Sequence, residues 1–167
     1  MDIDIRRVHA SDARSILHVD QNSCEFPWET DDWYMLEDHY IPWLDAVVLV
    51  DGVIKGYSIF DFDKDTDSCR LLRYCIENNV DEVTREKIDD KMLDRIEYHC
   101  YSRDISTIEI DVCETELLGS ADPYDRSVWL TKHGFKMTRK VKGLEYRYYR
   151  SYDVFYFAKP VEDSKFI

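Results

Sequence analysis

Glycine is scarce in this chain. Five occur in 167 residues (Gly52, Gly56, Gly119, Gly134, Gly143), and no two stand within three positions of each other. A loop that cradles phosphate through closely spaced glycines is therefore at a disadvantage. Long apolar runs are missing as well. No stretch approaches the roughly 20 apolar residues a membrane-spanning helix needs. The opening MDIDIRRVHASD lacks the apolar segment of a secretory signal. The expectation is a cytoplasmic protein with no membrane partner. Ordered cysteine spacing is also absent. Cys24, Cys69, Cys75, Cys100 and Cys113 are odd in number and form no CxxC unit, so reduced, buried thiols and no metal site are expected. Positive charge is in short supply: 22 Lys+Arg against 35 Asp+Glu give a net charge of −13. Such a chain is repelled by phosphate backbones, which makes nucleic acid an unlikely partner.

Apolar residues are plentiful by contrast. Hydrophobic residues make up 44% of the chain and aromatic ones 14%, which excludes a disordered polymer. The length suits one domain over residues 1–167. There is no internal repeat and no Pro/Gly/Ser-rich linker.

The pattern predicts a first strand over Asp2–Val8 and then a helix. Ser11 is its N-cap candidate, and Ile16, Leu17 and Val19 share one face. A second helix is expected over Thr30–Tyr40, beyond the break at Pro27. Ala46–Gly52 and Val53–Asp63 read as a hairpin turning on Asp51-Gly52. Cys69–Ile76 reads as an apolar strand. A long helix over Asp81–Ser102 carries Ile88, Met92, Leu93, Ile96 and Tyr98 at helical spacing. Thr107–Glu114 alternates as a strand, with Glu109, Asp111 and Cys113 on one face and Ile110 and Val112 on the other. Tyr124–Lys132 reads as a helix closed by Gly134, and Leu144–Pro160 as a final strand or hairpin. Strand–helix–strand alternation in the second half argues for an α/β domain with parallel pairing.

This order, carried by EFPWE (Glu25–Glu29), DGVIKGYSIF, RLLRYCI and RSVWLTKHGFK, resembles the GNAT superfamily of N-acetyltransferases, in particular its ribosomal-protein alanine N-acetyltransferase branch. The resemblance implies a GNAT fold: a mixed central sheet of six or seven strands flanked by about four helices. It implies acetyl-CoA as cosubstrate and an amine or protein substrate, such as a protein N-terminus. It leaves a homo-oligomer open. It places the thioester between the strands Leu71–Ile76 and Thr107–Glu114. The backbone at Cys75 and Ile76 would hold the pantetheine arm, and Phe26 and Trp28 would lie against the acceptor.

The chain departs from the family at two places. The cofactor loop has its counterpart in Arg85, Glu86, Lys87, Ile88, Asp89 and Asp90, with Lys87 and Asp89 where glycines would let backbone N–H groups approach a pyrophosphate. Arg85 and Lys87 then become the side-chain candidates for phosphate. The tyrosine that serves the family as general acid is replaced by Leu130, and Tyr124 is the nearby substitute. Asp111 stands where the branch keeps its general base. These departures motivate the rival expectation of a catalytically degenerate GNAT-fold protein that binds a regulatory partner. An acidic, Tyr-rich, glycine-poor chain also resembles virus-encoded members, for which the compartment would be the host cytoplasm.

Overall fold

The computed structural model describes residues 1–23, 46–113, 126–147 and 150–162. Seven strands form a mixed sheet in the order β1-β2-β3-β4-β5-β7-β6. They are β1 (Ile3–Arg7), β2 (Ala46–Val50), β3 (Val53–Asp63), β4 (Ser68–Ile76), β5 (Thr107–Cys113), β6 (Lys136–Arg147) and β7 (Arg150–Pro160). Three α-helices lie among the described residues: α1 (Ala13–Ser23), α2 (Glu82–Ser102) and α3 (Arg126–Lys132). The helix expected over Thr30–Tyr40 lies outside the described residues.

The chain divides into two compact units. The first comprises Met1–Phe60 and Leu72–Met92. Its strands β1, β2 and β3 pair antiparallel. The β2–β3 turn is a left-handed pair, Asp51 at φ 50° and Gly52 at φ 81°, which is the geometry that makes Asp-Gly a hairpin dipeptide. Val8, Ile16, Val19, Val47, Tyr57, Ile59 and Cys75 form its core. Gly56 is required where β3 meets β4: a Cβ there would come within 2.9 Å of the Cys75 carbonyl oxygen. The entry to α1 differs from the expected Ser11 cap. A 3-10 turn, Ala10–Asp12, precedes the helix. Asp12, not Ser11, ties it down, accepting the His9 N–H at 2.7 Å and the Arg6 guanidinium at 2.8 Å. A carboxylate that can take both donors outcompetes a hydroxyl for the position.

The second unit comprises Asp61–Leu71 and Leu93–Ile167. In it the start of β4 pairs parallel with β5, Ser68 to Leu71 against Thr107 to Ile110, as strand–helix–strand order requires. β5 pairs antiparallel with β7, and β7 with β6. Ile96, Cys100, Ile105, Ile108, Ile110, Val112, Leu130 and Phe135 are buried. Lys159 and Glu97 form a buried ion pair at 2.7 Å. The sequence reading began its final strands at Leu144; β6 instead begins at Lys136. From Lys136 to Leu144 nearly every residue is exposed. A strand wet on both faces shows no apolar alternation to find.

Candidate functional site

Alternation along β5 sorts its side chains. Ile108, Ile110 and Val112 are buried at 1% exposure or less, while Glu109 and Asp111 on the other face are partly exposed. Arg70 on β4 donates from Nη2 to Asp111 Oδ2 at 2.8 Å. The two side chains are 42% and 32% exposed, so the pair orients the carboxylate while leaving it in reach of a solute. Asp111 stands directly opposite Tyr156 of β7, and Tyr156 opposite Arg139 of β6. Directly opposed residues share a face, so Asp111, Tyr156 and Arg139 form one row across β5, β7 and β6; Arg70, opposite Glu109 in the parallel register, lies on the same face and reaches Asp111 diagonally.

The long helix begins with Asp81 as its cap. The Asp81 carboxylate accepts the N–H and the hydroxyl of Thr84, both at 2.8 Å, and these hydrogen bonds hold its carboxyl below the ordinary carboxylate range. The first helical hydrogen bond runs from Arg85 N–H to the Asp81 carbonyl at 2.9 Å. Arg85, Glu86, Lys87, Ile88, Asp89 and Asp90 therefore lie within α2, past its first turn, where backbone N–H groups are spent on the helix itself. Asp89 is 2% exposed and accepts the Tyr74 hydroxyl at 2.6 Å, and Ile88 is fully buried. Both positions belong to the apolar stripe with Met92 and Ile96, which turns them inward. Arg85 is half-buried and Lys87 exposed, so phosphate contact from this segment is a matter for those two side chains.

Cys75 and Ile76 are buried at 3% and 5% exposure, with Cys75 Sγ 3.9 Å from the Val19 carbonyl oxygen. Leu130 is fully buried in the second unit, and its carbonyl accepts the Phe135 N–H at 2.9 Å. It is a core residue. Phe26, Trp28 and Tyr124 lie outside the described residues. No group of three or more potential metal ligands occurs among the described residues, nor is any helix there long and apolar enough to cross a membrane.

Sequence reasoning missed one buried polar cluster, in the first unit. Asp20 is fully buried on the inner face of α1. It accepts Arg73 Nε at 2.8 Å and Arg73 Nη2 at 2.6 Å, and it accepts the hydroxyl of the buried Tyr57. Its spacing from Ile16 is the signal that would have found it, since i and i+4 share a helix face.

No family model and no curated protein matches this chain. Solved structures do. The ribosomal-protein-alanine N-acetyltransferase from Brucella melitensis is 16% identical with a TM-score of 0.66, covering 94% of this chain and 99% of that one. Ard1 from Thermoplasma volcanium is 16% identical with a TM-score of 0.72, covering 97% and 99%. The chain has the GNAT fold. A GNAT superfamily phosphinothricin acetyltransferase from Sinorhizobium meliloti, solved in complex with AcCoA, is 16% identical with a TM-score of 0.70, covering 98% and 90%. At these identities the likeness is one of fold.

Proposed function

We propose that this chain is an acetyl-CoA-dependent N-acetyltransferase acting on a primary amine, with a protein N-terminus as the acceptor. The observation that carries the reading is the Asp111 carboxylate. It stands on the exposed face of the GNAT strand that pairs parallel with β4, held by Arg70 at 2.8 Å.

Acetyl-CoA would supply an activated acyl carbon and a thiolate leaving group. Asp111 takes the proton of the acceptor ammonium, directly or through one water, and so exposes the nitrogen lone pair. Arg70 keeps the carboxylate pointed outward. The residues present fit the diphosphate in an altered way. The Asp81 carboxylate already occupies Thr84 N–H, so the helix terminus offers little to an anion. Arg85 and Lys87 carry that contact instead, as charge-assisted pairs. The backbone at Cys75 and Ile76 takes the pantetheine arm. Phe26 and Trp28 contact the acceptor, and Tyr124 is the proton donor to the thiolate, a minor contribution because a thiolate leaves readily.

A second reading draws on the departures in the sequence: Lys87 and Asp89 stand in place of the glycines of the cofactor loop and Leu130 in place of the tyrosine acid, as in a GNAT-fold protein that binds a partner without catalysis. The test is acetyl transfer to a panel of peptides with free N-termini, followed by mass spectrometry, for wild type and Asp111→Asn. Transfer by wild type that drops in the variant supports the enzyme. Equal inactivity of both on every acceptor supports the binding protein.

A further inference from the structure

β6 concentrates positive charge in an acidic chain. Its twelve residues include Lys136, Arg139, Lys140, Lys142 and Arg147 against one acid, Glu145. One of these cations is aimed by an irregularity in the strand. The ladder steps from Met137 opposite Phe157 to Arg139 opposite Tyr156, so Thr138 is an extra residue. A regular register would have put Thr138 opposite Tyr156 and turned Arg139 to the other face. The bulge re-aims it. The Arg139 guanidinium stacks over the Tyr156 ring, 4.0 Å from its centroid, which is a favourable and orienting contact. Lys136 lies on the same face, opposite Ala158, itself opposite Glu109. Asp111 is already engaged by Arg70.

We propose that this row selects an acceptor whose amine is followed closely by a carboxylate: the N-terminus of an acidic peptide. The inference rests on the acetyltransferase reading and adds the substrate class. Adjacent strands are about 4.8 Å apart, so Arg139 sits about 10 Å across the sheet from Asp111. An extended peptide advances about 3.5 Å per residue. An amine held at Asp111 therefore brings the side chain of the second or third residue to Arg139. The guanidinium fork matches a carboxylate there, with Lys136 beside it. The local row and the whole-chain field make opposite demands. A net charge of −13 attracts cationic peptides, whereas the row favours acidic ones.

Three peptides separate these demands, each with a free N-terminal alanine followed by two glutamates, two glutamines or two lysines. Their kcat/KM values are measured with acetyl-CoA for wild type, Arg139→Glu and Arg139→Lys. Fluorescence anisotropy of the same peptides, labelled at the C-terminus, reports binding without turnover. The glutamate peptide is expected to exceed the lysine peptide by about tenfold, the scale of one well-placed charge pair. Arg139→Glu should reverse the order, and Arg139→Lys should keep it at reduced ratio. The preference should shrink as salt rises. A lysine preference, or no preference, with transfer intact overturns the substrate class and leaves the acetyltransferase reading standing. Absence of both transfer and acetyl-CoA binding overturns that reading, and this inference with it.

Discussion

Asp20→Leu should be among the most damaging single substitutions in the first unit. The carboxylate is fully buried and receives Arg73 Nε at 2.8 Å, Arg73 Nη2 at 2.6 Å and the Tyr57 hydroxyl. Removing one partner of a buried pair costs about 3–5 kcal/mol, because the other charge is left uncompensated. Arg73 retains 24% side-chain exposure, so water recovers part of its hydration, and Tyr57 loses one hydrogen bond in a dry site. The expected net loss is about 2–4 kcal/mol. With a urea m-value of about 1–3 kcal/mol/M, the unfolding midpoint falls by about 1–3 M. Fluorescence-detected urea unfolding reads this directly. The triple replacement Asp20→Leu, Tyr57→Phe, Arg73→Met removes all three polar groups and should recover most of the loss, since apolar substitutes of similar volume often match a buried pair. A midpoint shift in Asp20→Leu under about 0.3 M would refute the reasoning, because the cluster would then contribute little.

Further expectations follow from single sites. Asp111→Asn should lower kcat by about 10²–10⁴ in a peptide acetylation assay, and the deficit should shrink as pH rises and free amine becomes abundant. Arg85→Ala with Lys87→Ala should weaken acetyl-CoA binding by about 2–4 kcal/mol in isothermal titration, and an unchanged affinity would mean that other groups hold the diphosphate. Asp12 has a carboxyl depressed mainly by its hydrogen bond from Arg6. Its contribution is therefore complete above the unfolded value of about 3.9 and lost as pH falls through the lower folded value. Acid unfolding of Asp12→Asn should show a shallower loss of stability below about pH 5, and parallel curves would contradict this. Gly56→Ala should cost about 1–3 kcal/mol by forcing β3 away from the Cys75 carbonyl, measured as a lower Tm.

The fold was legible wherever local chemistry and burial agree. Val53–Asp63 carries its own turn signal at Asp51-Gly52 and is found with the expected bounds. The long helix buries four of its five apolar residues at helical spacing, Tyr98 being exposed, and is found one residue short of its expected start, because Asp81 serves as cap. Alternation in β5 separated Glu109 and Asp111 from the buried Ile110 and Val112, as found. Long-range pairing was invisible. Arg70 meets Asp111 across 41 positions, and nothing local marks Tyr156 or Arg139 as their neighbours. Asp89, three positions before Met92 and seven before Ile96, lies on the buried stripe that helical spacing marks.

The central claim is that this GNAT fold uses acetyl-CoA despite a helix terminus capped by Asp81. Thermal unfolding of the full chain against rising acetyl-CoA tests it most directly. At 100 times Kd, binding should stabilise the native state by about 2.7 kcal/mol. That rise in Tm should be lost in the Arg85→Ala, Lys87→Ala variant and should fall with added salt. A Tm that stays constant up to millimolar acetyl-CoA would contradict the claim.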